Sequence, residues 1–468
     1  MLIIFIHGWS VTNTDTYGGL PAAIQRNAPS ELSVKVDHLY LSKYVSFHDE
    51  VTVDDIARGM QTAIESDVQP KLSKGERFAC VTHSTGGPVT RKWIDLYYRD
   101  RLSECPIQHL VMLAPANHGS ALAQLGKGRL ARMKFWSEDV EPGRGVLDWL
   151  ELGSEQSWDL NGSWLNYNCV SAGVYPFVLT GQSIDRQFYD NLNSYTGEAG
   201  SDGVVRVAAA NMNYAMVRLI QEGSEFKLSK EGYSRKTALG ILPGRSHSGK
   251  DMGIMGSVSA EDDGSHPTVR WVLACINVAS PRGYVLLAKA LNELSNKTQE
   301  HERQERTREV FLYRRRFVTS RYSMFIFRVI DDRGEDIVDY DVVFTAGPEY
   351  DANHLAPGFF KDRQRNQRSP AKLTYYINYD VMAEWLTRPE LEGKFGFRVA
   401  ARPEKGFAYY TIAEYRGTFA SLRRYFEPNQ TLMVEMQLKR HVAEGVFRFT
   451  QVLENEEFKN QERGADLS

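Results

Sequence analysis

An apolar run that ends in a sharp turn of small residues, directly before a helix-forming segment, most constrains the fold of this chain. The apolar residues 78–81 are followed by Thr-His-Ser-Thr-Gly at 82–86. This pattern holds the central residue in a strained conformation and leaves its side chain exposed above the sheet edge. Gly86 is small, as the turn requires, whereas Thr82 stands where glycine is commoner. The pattern predicts Ser84 as a nucleophile, and an ordinary loop is the alternative.

The first residues of the chain favour the nucleophile. Residues 2–6 are apolar, as expected for a strand buried on both faces of a parallel sheet, and a His-Gly pair follows them. In serine hydrolases such a loop faces the nucleophile turn and supplies one backbone N–H to the oxyanion hole. We expect that donor at Trp9 or Ser10, and the second donor at Thr85, the residue after the serine.

Four blocks of sequence together carry a resemblance to a known family. They are Phe-Ile-His-Gly-Trp at 5–9, Thr-His-Ser-Thr-Gly-Gly at 82–87, Ala-Pro-Ala-Asn-His-Gly-Ser at 114–120 and Ser-Asp-Gly-Val-Val at 201–205. With these blocks the chain resembles a bacterial lipase or phospholipase of the α/β-hydrolase superfamily over most of residues 1–280. A more distant resemblance, which rests on architecture, is to antibacterial lipase effectors exported by type VI secretion. That resemblance implies an immunity or delivery protein as a partner.

The resemblance also implies where the base and the acid of a catalytic triad lie. In this fold the chain order is serine, acid, histidine. Asp202, in the Ser-Asp-Gly-Val-Val block, is the favoured acid, and Asp185 is its rival because it lies nearer the end of an apolar strand. His247 lies in a polar, glycine-flanked loop and is the favoured base. His266 is the alternative base, although its position before a proline is typical of a helix start.

These assignments predict a serine lipase or phospholipase that hydrolyses lipid carboxylic esters through a Ser-His-Asp triad and an acyl-enzyme intermediate. An esterase or thioesterase acting on small soluble acyl compounds is the first alternative. The second alternative is a catalytically silent binding module on the same scaffold, and the presence of all three triad residue types argues against it.

Composition excludes several other classes. A formal net charge of −3 predicts no general affinity for nucleic acid. The sequence has no paired cysteines or histidines at ligand spacing and no glycine-rich phosphate loop, so we expect neither a metal nor a cofactor. The four cysteines adjoin apolar runs, which favours buried free thiols. Residues 2–6 are too short for a signal peptide, and no apolar run reaches the roughly 20 residues that span a bilayer. We therefore expect synthesis in the cytoplasm, and export by a signal-independent route if the protein acts elsewhere.

The length of 468 residues predicts about two domains. We expect an α/β-hydrolase domain over 1–300 and a mostly-β, sandwich-like domain over 310–468, where apolar residues alternate with period two. No triad candidate lies in the second domain, so we expect it to be dispensable for hydrolysis of a soluble ester. Its basic cluster at 314–316 is a candidate peripheral contact for anionic lipid headgroups, or simply a solvated strand start.

An insert at about 122–170 is rich in tryptophan. It contains Trp136, Trp149, Trp158 and Trp164. Lipases commonly carry an amphipathic lid at this point, and tryptophan favours membrane interfaces. A fixed cap that buries the tryptophans is the alternative.

Overall fold

The computed structural model describes residues 1–7, 17–40, 50–126, 143–184, 198–309, 320–403 and 407–442. The strands in these ranges are β1 (Leu2–His7), β2 (Lys35–Tyr40), β3 (Phe78–His83), β4 (Ile107–Leu113), β5 (Tyr175–Thr180), β6 (Tyr214–Glu222), β7 (Glu225–Tyr233), β8 (Ala238–Ile241), β9 (Tyr322–Asp331), β10 (Tyr340–Ala346), β11 (Phe360–Arg365), β12 (Lys372–Asn378), β13 (Lys394–Ala401), β14 (Ala408–Tyr410), β15 (Ala413–Thr418), β16 (Thr431–Leu438) and β17 (Arg440–Val442). The α-helices are α1 (Leu20–Asn27), α2 (Val53–Ala63), α3 (Gly86–Tyr98), α4 (Ala123–Gly126), α5 (Arg144–Leu150), α6 (Glu155–Trp164), α7 (Val207–Ala210), α8 (Pro267–Ile276), α9 (Pro281–Glu309), α10 (Tyr379–Leu386) and α11 (Phe419–Leu422).

The first sheet is wholly parallel, with strands in the order β2-β1-β3-β4-β5-β8. Its central strands are apolar along their length because helices cover both faces. On one face α2 and α3 pack through residues such as Met60 and Trp93. On the other face α1, α8 and α9 pack through residues such as Ile24, Val272 and Leu291. This arrangement confirms the predicted α/β-hydrolase fold.

The second sheet has nine strands in the order β10-β13-β15-β7-β6-β16-β9-β12-β11. Two of them, β6 and β7, come from between β5 and β8 of the first sheet. β6 pairs with β16 in parallel from Tyr214↔Thr431 to Ile220↔Gln437. The chain therefore leaves the first sheet, contributes two strands to the second, and returns to complete the first sheet with β8.

The second sheet curls until its two edge strands approach each other. The ring of Phe344 in β10 lies 5.5 Å from that of Phe360 in β11, measured between centroids. Arg365 of β11 also donates hydrogen bonds to the carbonyl oxygens of Val338 and Tyr340, at 2.6 and 2.7 Å. A single curled sheet thus encloses an aromatic core. The prediction of a mostly-β second unit is confirmed.

The long helix α9 follows the first sheet and includes the polar run before residue 309. It packs along β8, where Ser295 Oγ accepts a hydrogen bond from the N–H of Ile241 and Thr298 Oγ1 donates to the Ile241 carbonyl oxygen, both at 2.9 Å. The basic cluster at 314–316 lies outside the described residues. No helix within the described ranges has the length and apolar character needed to cross a membrane.

The predicted free thiols are present. Cys80, Cys105, Cys169 and Cys275 are all buried and unbridged. Burial raises the pKa of each thiol, so all four stay protonated near neutral pH.

Candidate active site

Ser84 lies at the turn between β3 and α3 with a positive φ of 52°. Non-glycine residues rarely adopt this conformation, and such strain is concentrated at functional sites. The turn is held by backbone bonds, among them Ser84 N–H to the Leu113 carbonyl oxygen at 3.0 Å. A Cβ on Gly86 would lie 3.2 Å from Thr82 Cβ, and one on Gly87 would lie 2.7 Å from Pro115 Cβ. Thr82 is therefore tolerated because position 86 is glycine.

Ser84, His247 and Asp202 form a continuous chain of hydrogen-bonding atoms. His247 Nε2 lies 3.1 Å from Ser84 Oγ, and His247 Nδ1 lies 3.0 Å from Asp202 Oδ2. With the imidazole proton on Nδ1, the ring donates to Asp202 and Nε2 accepts from the serine hydroxyl. The structure thus brings together three residues that are far apart in the sequence, in the order that the resemblance implies.

The carboxylate of Asp202 is fully buried and held by its own loop. Its Oδ1 accepts hydrogen bonds from the N–H groups of Val204 and Val205, at 3.0 and 2.7 Å. The carbonyl oxygen of Val204 accepts a further hydrogen bond from Ser120 Oγ at 2.6 Å. These bonds leave Oδ2 to His247 and fix the direction in which the carboxylate points.

The alternative base, His266, lies apart from this chain of hydrogen-bonding atoms, and three other candidates lie outside the described residues. His266 lies at the start of α8, where its Nδ1 accepts a hydrogen bond from the N–H of Thr268 at 3.2 Å. It is the cap of that helix, as its position before Pro267 suggests. Asp185, Trp9 and Ser10 lie outside the described residues.

Thr85, the expected second oxyanion donor, is the buried N-cap residue of α3. Its position directly after Ser84 places its N–H at the start of that helix, where backbone dipoles favour negative charge.

His83 adjoins the candidate base. Its ring centroid lies 4.6 Å from that of His247, and its Nε2 lies 3.3 Å from the His247 carbonyl oxygen. Desolvation of the His83 ring, and then the nearby His247, hold the pKa of His83 well below its usual range. His83 is therefore neutral at physiological pH and does not compete for the proton that His247 would carry.

The described part of the tryptophan-rich insert buries its tryptophans. Trp149, Trp158 and Trp164 are only 2 to 4% exposed. Trp158 lies in a small cluster with Ile326 and Met433 of the second sheet. Trp136 lies outside the described residues. Residues 143–170 therefore bury their tryptophans between the two sheets and do not present them to a lipid surface.

Among the described residues, no group of three or more histidine, cysteine or acidic side chains is arranged to hold a metal ion.

No protein-family model and no curated protein matches the chain. Among the solved structures that match it, two examples cover almost its whole length. Phospholipase PlaB from Legionella pneumophila is 49% identical, with 98% of this chain and 97% of that chain covered and a TM-score of 0.89. A complex of the same phospholipase with thio-NAD is 47% identical, with 98% of both chains covered and a TM-score of 0.87. The chain, an α/β-hydrolase with a second, mostly-β unit, therefore belongs to the family of the phospholipase PlaB.

Proposed function

We propose that this chain is a phospholipase in which Ser84 is the nucleophile, His247 the general base and Asp202 the residue that orients the imidazole. The observation that carries the proposal is the Ser84–His247–Asp202 chain, with contacts of 3.1 and 3.0 Å. The relation to PlaB supports a phospholipid as the substrate. The strained backbone at Ser84 supports its role as the nucleophile.

In the first half of the reaction, Ser84 Oγ attacks the carbonyl carbon of the ester while His247 Nε2 takes the hydroxyl proton. Asp202 stabilises the imidazolium that forms and keeps the proton on Nδ1. The oxyanion accepts hydrogen bonds from the N–H of Thr85 and from a second donor, expected at Trp9 or Ser10. Removal of one such donor typically lowers the rate about 100- to 1,000-fold.

Collapse of the tetrahedral intermediate breaks the ester bond and leaves the acyl group on Ser84. The leaving alcohol takes the proton from His247. In the second half, His247 takes a proton from water, whose oxygen attacks the acyl carbon. The fatty acid leaves and Ser84 regains its proton.

The buried tryptophans of the cap favour a second candidate, an esterase or thioesterase on small soluble acyl compounds. A fixed cap suits a small substrate, whereas a lipase lid exposes apolar surface at the lipid interface. Trp149, Trp158 and Trp164 give this candidate its support.

A substrate panel tests both candidates. Wild type, Ser84→Ala and the exposed-serine control Ser103→Ala are assayed on a short-chain nitrophenyl ester, an acyl thioester and phospholipid vesicles. We expect fatty acid release from vesicles by wild type and Ser103→Ala, and a loss of at least about 1,000-fold in Ser84→Ala. Turnover of the soluble compounds alone supports the second candidate. No turnover of any substrate supports a silent binding module.

We propose peripheral membrane contact through the start of α9. Val285 and Leu286 are 64% and 62% exposed there, which is unusual for adjacent aliphatic side chains. The exposed basic residues Arg282 and Lys289 flank them. Apolar residues beside basic ones fit an anionic lipid surface.

We also propose that the chain binds a nicotinamide dinucleotide as a ligand, because one PlaB structure is a complex with thio-NAD. Residues 8–16, which follow β1, contain no Gly-x-Gly-x-x-Gly sequence, so the nucleotide-binding loop of dinucleotide-dependent oxidoreductases is not present at that strand. Ester hydrolysis transfers no electrons, and no step above uses the dinucleotide. Calorimetric titration with thio-NAD tests the proposal: saturable heat supports it, and the absence of heat at millimolar ligand contradicts it.

A further inference from the structure

The loop that carries Asp202 is anchored by a buried cation. Arg206 is 1% exposed. Its Nε lies 2.7 Å from Glu198 Oε2 and its Nη2 lies 3.0 Å from Glu198 Oε1, a bidentate pair between the two ends of the loop. Nη2 also pairs with the carboxylate of Asp362 in β11. A buried charge of this kind is costly to separate from its partners, so the three side chains hold one another in place.

The second sheet also contacts the first end of the loop. Tyr376 of β12 stacks on the Arg206 guanidinium, whose central carbon lies 4.1 Å from the ring centroid. The Tyr376 hydroxyl lies 3.0 Å from the carbonyl oxygen of Ala199 and 3.2 Å from that of Gly200. Gly200 has a φ of +76°, and a Cβ there would lie 2.4 Å from the Tyr376 hydroxyl oxygen. The tyrosine therefore fits against bare backbone two residues before Asp202.

Bonds within the loop connect these anchors to the carboxylate. Ser201 and Arg206 form an isolated antiparallel bridge, and the N–H of Val207 donates to the Gly200 carbonyl oxygen at 2.9 Å. The loop between them is closed by the bonds from Val204 and Val205 to Asp202 Oδ1. A shift of Arg206 is therefore transmitted to the carboxylate through a few short, stiff links.

We propose that Arg206, held by Asp362 and Tyr376, is a positioning residue for Asp202, so that the second sheet forms part of the active site. The inference rests on the proposed function, because it assigns Asp202 the role of orienting His247. Asp362 and Tyr376 act only through the loop, and neither is proposed to touch the substrate. A displacement of about 1 Å in a catalytic group can cost about 100-fold in rate.

The test compares Asp362→Asn and Tyr376→Phe with Glu155→Gln. Glu155 of α6 pairs with the buried Lys372 of β12, so the control also removes a carboxylate from an ion pair between the hydrolase unit and the second sheet. It leaves the Asp202 loop untouched. All variants are assayed on a soluble short-chain nitrophenyl ester from pH 5 to 9, with thermal unfolding measured for each.

For Asp362→Asn we expect kcat to fall about 10- to 100-fold with KM within about twofold, and a smaller fall for Tyr376→Phe. The titratable groups facing His247 are Asp202 and His83. The Asp202 charge favours the imidazolium, so a displaced carboxylate stabilises the imidazolium less. The acid limb of the kcat/KM profile should therefore move to lower pH in Asp362→Asn and stay in place in Glu155→Gln.

Equal rates and profiles for Asp362→Asn, Tyr376→Phe and the Glu155→Gln control would overturn the inference. Should Asp362→Asn fail to fold, Tyr376→Phe decides the question, since it removes only a hydroxyl group. In that variant we expect a weaker downfield shift of the His247 Nδ1–H proton resonance. An unchanged shift together with an unchanged rate would again overturn the inference. Failure of the proposed function is distinguishable, because wild type itself would then turn over no ester.

Discussion

His247 and Asp202 are joined by two hydrogen bonds, one between side chains and one between main chains. His247 Nδ1 lies 3.0 Å from Asp202 Oδ2, and the His247 N–H donates to the Asp202 carbonyl oxygen at 2.9 Å. The backbone bond fixes the two loops relative to each other independently of the side-chain contact. The imidazole is therefore oriented by the fold as well as by the carboxylate.

Mutation should show which of the two candidate histidines is the catalytic base. His247→Ala should lower kcat/KM on a soluble ester by at least about 1,000-fold, as much as Ser84→Ala, because triad members act as a unit. His266→Ala should keep its activity and lose about 0.5–1 kcal/mol of stability, since it removes a helix cap. Steady-state kinetics and urea unfolding measure both effects. An active His247→Ala beside an inactive His266→Ala would contradict the assignment.

The stability of the protein should fall below neutral pH because of buried histidines. His118 is fully buried, and within the described residues neither ring nitrogen has a hydrogen-bond partner. Burial, and then the nearby Arg91, lower the pKa of His118 to about 3. The unfolded chain therefore binds the proton first, and stability is lost as the pH falls from about 6.5 towards 3. At pH 5 this single group contributes a loss of about 2 kcal/mol.

His118→Phe tests this prediction. The ring keeps its edge-to-face contact with Tyr214, whose centroid is 4.8 Å away. Urea unfolding at pH 7 and pH 5 should show that the variant loses about 2 kcal/mol less than wild type over that interval. Equal losses for the two proteins would show that His118 does not have the lowered pKa.

Removal of residues 310–468 should prevent folding of the remainder. β6 would lose β16, with which it is paired over seven residues, and the buried side chains of Ala215, Val217 and Leu219 would be exposed. Unpaired strands with apolar faces aggregate. The sequence alone predicted that this part is dispensable for hydrolysis of a soluble ester. Soluble yield and gel filtration of residues 1–309 decide the question, and a monomeric, active fragment would restore the original prediction.

The proposed membrane contact through α9 predicts a selective loss of vesicle binding and of activity on vesicles. Val285→Asp with Leu286→Asp should weaken binding to anionic vesicles and lower activity on them, while activity on a soluble ester stays unchanged. Ile412→Asp is the control, because Ile412 is 52% exposed in the second unit. Vesicle sedimentation at low and high salt measures binding. Equal binding of both variants and wild type would place the membrane contact elsewhere.

The parts of the fold that local sequence determines were predictable. The strand, turn and helix around Ser84 require an apolar run and glycines at fixed offsets, and the structure has them there. The loop of Asp202 and the cap position of His266 also have short signatures, because each depends on bonds between residues close in sequence.

Long-range pairing was not predictable in the same way. Apolar and polar residues alternate over 214–233, as they would in any strand that buries one face. This alternation does not distinguish an extra strand of the hydrolase sheet from a strand of the second sheet. The partners of Arg206 are 8 and 156 positions away, so its charge alone gave no sign of an anchored loop. Trp158 of the insert was ambiguous for the same reason, because its burial depends on Ile326 and Met433, which lie in the second sheet.

Covalent labelling tests the central claim most directly. Wild-type protein is treated with a fluorophosphonate, digested and analysed by peptide mass spectrometry, with Ser84→Ala in parallel. We predict one adduct, on the peptide containing Ser84, with loss of ester hydrolysis in proportion to labelling and no adduct in Ser84→Ala. Full hydrolytic activity in a protein whose Ser84 is quantitatively labelled, or the same adduct yield in Ser84→Ala, would contradict the assignment of Ser84 as the nucleophile.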